Sequence, residues 1–155
     1  MEVESQQNDP MGFSGSLEEL YQVALAQLDC ARAPYSNFRV GAALFSAGHI
    51  FPGCNVENSS YGLTLCAERS AVMHWASAGS PGVPEAIVIV ARHPNGEPAQ
   101  AMPCGACRQV LSDLPDSRKL LIFTGEGNEI SRITLEELLP HAFGPADLDS
   151  GEGVG

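Results

Sequence analysis

Apolar residues recur at helical spacing in the first third of the chain, after a polar start. Leu17, Leu20, Tyr21, Ala24, Leu25 and Leu28 fall on one face of a predicted helix. Ser16 with Glu19 forms a capping box at its start, and Pro34 limits its end. Further helices are predicted from Cys66 to Gly79, from Cys104 to before Pro115, and from Thr134, with Glu137 as its capping partner, through Leu139.

Four segments have the pattern of strands. Residues 39–45 and 49–56 flank the turn 46–48 and predict a hairpin, whereas 86–90 and 120–123 are continuous apolar runs typical of strands covered on both faces. Alternating helices and buried strands predict an α/β layered domain with a mixed sheet. We expect one domain over 16–144, a disordered tail over 1–15 and an acidic, Gly-rich tail over 145–155.

Composition narrows the range of partners. The chain has 155 residues, 44% of them apolar, and a net charge of −11 with one lysine and seven scattered arginines. Nucleic-acid binding needs clustered basic residues, so a small uncharged or cationic ligand is favoured. The chain has no apolar run long enough for a membrane span, and its acidic start differs from a secretory signal. We therefore expect a cytoplasmic protein with reduced cysteines.

Candidate chemistry lies in Cys66-Ala67-Glu68 and in Pro103-Cys104-Gly105-Ala106-Cys107. Three thiolates can hold Zn²⁺ and leave its fourth tetrahedral position to water, with Glu68 as a proton carrier. All three cysteines fall at predicted helix starts, where the helix dipole favours thiolates. Three thiolates and Zn²⁺ sum to −1, and the hypothesis is that Arg69 offsets this charge by donating hydrogen bonds to the ligand sulfurs.

A structural zinc site is the alternative on spacing alone. Cys54, His74 or His93 would then supply the fourth ligand, and the protein would be a zinc-stabilised binding module without turnover. Glu68 has no evident structural duty, and the first block has one cysteine where zinc ribbons usually supply two. These two features favour catalysis.

The two cysteine blocks match the signature of the zinc deaminases. More of the sequence resembles one branch, the small cytidine deaminases that act on free nucleosides. The matching stretches are Ala33–Ala43, Gly53–Asn58, Cys66–Arg69, Pro103–Val110, and Glu137–Pro140 with Phe143. The resemblance runs from about Leu17 to Leu148.

The resemblance implies a three-layer α-β-α sandwich with a five-stranded mixed sheet, one Zn²⁺ per subunit and a homotetramer with composite active sites. It implies hydrolytic deamination of cytidine and deoxycytidine in pyrimidine salvage. By resemblance, Cys66, Cys104 and Cys107 bind zinc and Glu68 transfers protons. Asn55 and Glu57 bind the ribose, and Phe38 and the backbone at Ala67 bind the base. Phe143 contacts the base from a neighbouring subunit, and Tyr61 resembles a residue that reaches a neighbour's site.

Two other hypotheses for a deaminase remain open. One has a different small aminopyrimidine as substrate, such as a nucleoside antibiotic, although Asn55 with Glu57 favours a ribose. The other acts on polynucleotides and is disfavoured by the acidity of the chain.

Overall fold

A six-stranded mixed sheet with helices on both faces makes up the fold. The computed structural model describes residues 12–148. The strands are β1 (Arg39–Ser46), β2 (His49–Cys54), β3 (Pro84–Arg92), β4 (Pro98–Ala99), β5 (Leu121–Thr124) and β6 (Ser131–Thr134). The α-helices are α1 (Leu17–Cys30), α2 (Ala67–Ser77), α3 (Gly105–Ser112) and α4 (Leu135–Leu138).

The main strands lie in the order β2-β1-β3-β5-β6, and β4 pairs with β3 beside this path. Only the β3–β5 pair is parallel among the named strands. β1 and β2 form the predicted hairpin, with Ser46 opposite His49. Ala47 and Gly48 both have positive φ, 51° and 75°, as a two-residue type I′ turn requires.

Two apolar cores separate the three layers. On one face α1 packs through Leu20, Tyr21, Ala24 and Leu28 against Val88, Val90 and Phe123 of the sheet. On the other face α2, α3 and α4 pack through Ala71, Trp75, Leu111 and Leu135 against Leu44, Ile87, Ile89 and Ile122. Both faces of β3 and β5 are covered, as their continuous apolar runs predict. The α-β-α architecture is confirmed.

The strand number is six rather than five. The additional strand is β4, a two-residue segment whose composition has no strand signal. The sequence pattern does not predict β6 either, because β6 is a short, partly exposed edge strand without apolar alternation. β2 ends at Cys54, two residues before its predicted end, because the chain there turns away to pair with residues 32 and 65.

The predicted N-terminal boundary needs correction. Phe13 falls in the predicted tail 1–15, but it is buried and its ring lies 5.4 Å from that of Phe45 and 5.9 Å from that of Phe123. Ser14 also donates hydrogen bonds to the Glu85 carboxylate. The sheet face beside α1 offers an apolar site that local composition could not reveal. The remaining tail residues, 1–11 and 149–155, lie outside the described residues, whereas 145–148 form one 3₁₀ turn.

Close packing of α2 on β2 sets the position of the first cysteine block. A Cβ atom on Gly53 would lie 2.4 Å from the carbonyl oxygen of Ala67 and 2.4 Å from the amide nitrogen of Ala71. Only glycine therefore allows this approach of strand and helix. Within residues 12–148, the structure contains no helix with the length and apolar character of a membrane span.

Candidate active site

Three cysteine sulfurs meet at the N-terminal ends of α2 and α3. Cys66 and Cys104 each immediately precede a helix, and Cys107 lies in the first turn of α3. Their Sγ atoms all lie within 4.8 Å of one another, and those of Cys66 and Cys104 are 3.9 Å apart. The fold therefore brings together the two cysteine blocks, which are 38 residues apart in the chain.

The geometry of this cysteine cluster fits Zn²⁺. Zn–S bonds of about 2.3 Å in a tetrahedron place two sulfurs about 3.8 Å apart, close to the observed separation. Among the described residues, no fourth histidine, cysteine or carboxylate ligand joins the cluster. Three protein ligands leave one position open, which is typical of catalytic zinc sites rather than structural ones.

The three side chains considered as a fourth ligand are engaged elsewhere. The thiol of Cys54 lies 3.5 Å from a carbonyl oxygen at the end of α1. His74 Nδ1 lies 3.3 Å from the carbonyl oxygen of Pro52. His93 packs edge-on against the ring of Phe38, with 5.8 Å between ring centroids. The structure thus gives no support to a closed structural site completed by one of them.

Interactions among the sulfurs favour a thiolate at Cys66. A hydrogen bond from Cys107 is the largest cause that lowers the pKa of Cys66; burial opposes it, and Arg69 lowers the pKa further. The same contact with Cys66 raises the pKa of Cys107, and burial adds to that rise. Zinc ligation needs both sulfurs deprotonated, so metal binding would release the proton held between them.

Arg69 provides a positive charge beside the sulfurs. Its Nη2 atom donates to the carbonyl oxygen of Thr64 at 3.1 Å and to Cys66 Sγ at 3.6 Å. Its Nε atom is buried and has no hydrogen-bond partner among the described residues. This contact with a ligand sulfur agrees with the hypothesis that Arg69 offsets the negative charge of the cluster.

Glu68 is the second residue of α2 and is 5% exposed. Desolvation by burial raises the pKa of this carboxyl to about 7, against an opposing backbone hydrogen bond. Acid-base catalysis is most efficient when the pKa lies near the working pH. The carboxyl can therefore both accept and return a proton at neutral pH.

A cleft of about 230 Å³ opens beside Glu68 and the cysteine cluster. One wall comes from β1 and the turn before it, another from the end of β2, and a third from the starts of α2 and α3 and the loop before α3. The residues lining it include Ser36, Phe38, Val40, Asn55, Glu57, Thr64, Cys66, Ala67, Glu68, Ala101, Met102 and Cys104. The fold thus places Phe38, Asn55, Glu57 and Ala67, all predicted substrate contacts, in one cleft with the predicted acid-base residue.

Asn55 and Glu57 also support the wall of the cleft. Asn55 accepts a hydrogen bond from the backbone N–H of Val40 and donates one to the carbonyl oxygen of Phe38, both at 2.8 Å. The carboxylate of Glu57 accepts from the turn that contains Ser36. Each side chain thus has a structural duty and still faces the cleft.

Tyr61 and Phe143 do not line this cleft. Tyr61 is 76% exposed and lies beside Tyr35 in a neighbouring shallow pocket. Phe143 is 60% exposed, and its carbonyl oxygen accepts a hydrogen bond of 2.9 Å from Gln109 Nε2. Their roles in a neighbour's site stay predictions.

Ser36, Val40, Thr64 and Met102 line the cleft but were not singled out from the sequence. Ser36 stands in Pro34-Tyr35-Ser36-Asn37, which has turn composition. This signal marks a turn but does not say where the serine hydroxyl points. Met102 ends the 93–102 loop, whose Pro and Gly content predicts no particular path.

Comparison with known proteins places this arrangement in a family. Residues 15–123 match the family model described as the cytidine and deoxycytidylate deaminase zinc-binding region. The chain belongs to the cytidine and deoxycytidylate deaminase family. The match spans both cysteine blocks, Glu68 and all the cleft residues named above.

Relatives in this family resemble nearly the whole described chain. It is 43% identical over 132 residues to the cytidine deaminase of Halalkalibacterium halodurans, covering 84% of this chain and 96% of the relative. It is 44% identical over 119 residues to that of Mycobacterium tuberculosis, covering 76% and 82%. The crystal structure of the Burkholderia pseudomallei cytidine deaminase has a TM-score of 0.74 and 41% identity, covering 83% of this chain and all of that one.

Proposed function

We propose that the protein is a zinc-dependent hydrolase that deaminates free cytidine and deoxycytidine to uridine and deoxyuridine with release of ammonia. The observation that carries this proposal is the cysteine cluster with Glu68 buried beside it, in the cleft that Asn55 and Glu57 share. Membership of the deaminase family and the names of the relatives agree with it.

The chemistry follows from the residues around the open ligand position. Cys66, Cys104 and Cys107 would hold Zn²⁺, which would supply a Lewis acid able to lower the pKa of water from 15.7 to about 7. Glu68 accepts a proton from the attacking water and passes it to N3 of the pyrimidine, which activates C4. After the water oxygen has bonded to C4, Glu68 takes the second proton from the new hydroxyl group and delivers it to the departing amine. The C–N bond breaks, ammonia leaves, and C4 becomes a carbonyl.

The lining of the cleft supports a nucleoside. Phe38 and the α2 backbone at Ala67 lie where they can border a base, and Asn55 and Glu57 offer polar groups to sugar hydroxyls. The carboxylates of Glu57 and Glu68 and the net charge of −11 disfavour phosphate, so a free nucleoside is favoured over a nucleotide or polynucleotide. A sugar-free aminopyrimidine would leave Asn55 and Glu57 without a ligand.

We also propose a homotetramer with composite sites and a role in pyrimidine salvage. In a composite site, residues of a neighbouring subunit would complete the cleft of about 230 Å³. Tyr61 and Phe143 are the exposed aromatics that the resemblance assigns to this task. A cytoplasmic location is proposed with it, because three ligand thiols must stay reduced to bind zinc.

A substrate panel tests the activity. Purified zinc-loaded protein is given cytidine, deoxycytidine, cytosine, CMP and adenosine, and ammonia release is measured. We expect turnover of the two nucleosides of cytosine and little of the others. Activity on CMP without activity on cytidine would exclude the nucleoside assignment, and ammonia from none of the substrates would favour a zinc-stabilised module.

Glu68→Gln separates the enzyme from a binding module. We expect loss of about 10²-fold or more in kcat, because the amide cannot carry the proton, with zinc content unchanged. Glu18→Gln is the matched control, since Glu18 is exposed on α1. Full activity in Glu68→Gln would contradict the proposed chemistry.

A further inference from the structure

The turn before β1 wraps around the carboxylate of Glu57. Oε2 accepts hydrogen bonds from the backbone N–H groups of Tyr35, at 2.9 Å, and Ser36, at 3.2 Å. Oε1 accepts a hydrogen bond from the Ser36 hydroxyl. Ser36 and Glu57 are 21 positions apart in the chain, and both line the substrate cleft.

The Ser36 hydroxyl takes part in a second hydrogen bond. Its oxygen accepts from the backbone N–H of Phe38 at 3.0 Å. Asn37, between them, has φ of 54°, in the left-handed region that asparagine tolerates better than most residues. Ser36 thus connects the residue that borders the base to the carboxylate at the sugar end of the cleft.

The hydrogen bonds of Glu57 leave one acceptor position in a defined place. A carboxylate offers about four lone-pair sites, two on each oxygen. The two backbone N–H groups occupy both sites on Oε2, and the Ser36 hydroxyl occupies one on Oε1. The remaining site belongs to Oε1, the oxygen whose orientation depends on Ser36.

The charge state of Glu57 agrees with this role. The hydrogen bond from the Ser36 side chain is the largest cause that lowers the pKa of Glu57; burial opposes it, and the two backbone hydrogen bonds add to the lowering. The carboxylate is therefore held ionised and can act only as an acceptor. A ligand hydroxyl is a donor that matches it.

We propose that Ser36 is a positioning residue that aims the free lone pair of Glu57 Oε1 at one sugar hydroxyl of the substrate. This inference rests on the proposed nucleoside deamination and deepens it. The Ser36 hydroxyl hydrogen-bonds with Glu57 and Phe38 at the sugar end of the cleft, and neither bond involves Glu68. It therefore contributes to nucleoside affinity and to discrimination between sugars, and it leaves the chemical step unchanged.

Ser36→Ala with three substrates tests the inference. We expect kcat/KM for cytidine to fall about tenfold, carried by KM, with kcat within about twofold of wild type. The same variant is then assayed with 2′-deoxycytidine and 3′-deoxycytidine. The KM penalty should disappear for the analogue that lacks the hydroxyl held by Glu57 and persist for the other. An equal penalty on all three substrates, or a loss in kcat with KM unchanged, would overturn the inference.

Matched variants separate positioning from stability. Ser36→Thr keeps the hydroxyl and should restore KM, whereas Ser36→Cys keeps the volume with a weak donor and should behave like Ser36→Ala. Ser77→Ala removes a hydroxyl that donates to a backbone carbonyl at the far end of α2, and its KM should equal that of wild type. If wild type released no ammonia from any nucleoside, the proposed function would fail; wild-type turnover with an unchanged KM in Ser36→Ala would refute Ser36 alone.

Discussion

At the residue scale, the positive charge of Arg69 lies next to the sulfur of Cys66 in the cysteine cluster. Its guanidinium bridges the carbonyl oxygen of Thr64 and the sulfur of Cys66, so the side chain is held by the chain segment just before α2. Three thiolates with Zn²⁺ carry a net negative charge, which weakens the metal as a Lewis acid. A hydrogen bond to one sulfur reduces the charge that this sulfur donates to the metal.

Arg69→Ala should lower both zinc retention and turnover. Outer hydrogen bonds to ligands are typically worth about 10–100-fold in metal affinity or activity, and we expect a loss in that range. Zinc content is measured by atomic spectroscopy after dialysis, and kcat by ammonia release at saturating zinc. Arg118→Ala is the matched control, because Arg118 is exposed and pairs with Glu136. An Arg69→Ala protein with full zinc content and full kcat would refute this role.

At the element scale, the site depends on how closely helices approach the sheet. α2 can start beside the cleft only because Gly53 on β2 leaves room for the backbone of Ala67. On the other face, Tyr21 on α1 donates from its hydroxyl to the carbonyl oxygen of Gly125 at 2.6 Å, just after β5. Both contacts join elements that are distant in the sequence.

Gly53→Ala should destabilise the fold and disturb the site. The added methyl group would overlap the backbone of α2, and overpacking of this kind costs about 1–3 kcal/mol. The free energy of unfolding is measured with denaturant, together with zinc content, because displaced α2 carries Cys66. Gly62→Ala is the control, since a Cβ there has no atom within 4 Å. Equal stability of both variants would contradict the packing argument.

Tyr21 predicts a loss of stability at alkaline pH. Burial, with a smaller contribution from the charge of Glu126, raises the pKa of Tyr21 from 10.0 to about 12. Because the folded pKa is the higher one, this contribution is complete below pH 10 and is lost as pH rises toward 12. Between about pH 9 and about pH 11, wild type should lose about 1 kcal/mol more than Tyr21→Phe, which has no group to ionise there. Denaturant unfolding at both pH values measures this difference, and parallel losses would contradict it.

At the scale of the whole molecule, the proposed homotetramer would add residues of a neighbouring subunit to the cleft. The aromatic side chains of Tyr61 and Phe143 are exposed and lie outside the cleft. A homotetramer in which each subunit lends Phe143 to a neighbour would close the site and bury exposed apolar surface. Each site would then need Glu68 from one chain and Phe143 from another.

Mixed oligomers test this composite site. Co-expression of Glu68→Gln and Phe143→Ala chains should restore about a quarter of the wild-type activity, because random assembly completes that share of sites. Each variant alone should be nearly inactive. Glu68→Gln mixed with Cys104→Ala is the control and should stay inactive, because both changes lie in the half of the site supplied by the same chain. Equal activities in the two mixtures would exclude a composite site.

Much of the fold and of the catalytic centre could be predicted from the sequence, because the signals involved are local. Helix α1 followed from apolar spacing and from Ser16, whose hydroxyl does accept from the Glu19 N–H. The cap of α4 by Thr134 and Glu137 was equally readable. Capping and helical periodicity act within four residues, so the sequence displays them directly. The resemblance to the family also predicted substrate contacts, such as Asn55 and Phe38, that no local pattern indicates.

Contacts between distant segments depended on the tertiary structure. The sequence by itself predicted Cys66, Cys104 and Cys107 as candidate zinc ligands and Glu68 as the acid-base residue, and it determined the main helices and strands, since each of these lies in a short-range pattern. Only the fold decided that Phe13 packs on the sheet and that β4 and β6 join it. Only the fold decided that the Ser36 hydroxyl meets a carboxylate 21 residues away. The physical reason is that such contacts form only when the sheet brings together residues that are distant in the sequence. Patterns of spacing along the chain do not predict these contacts.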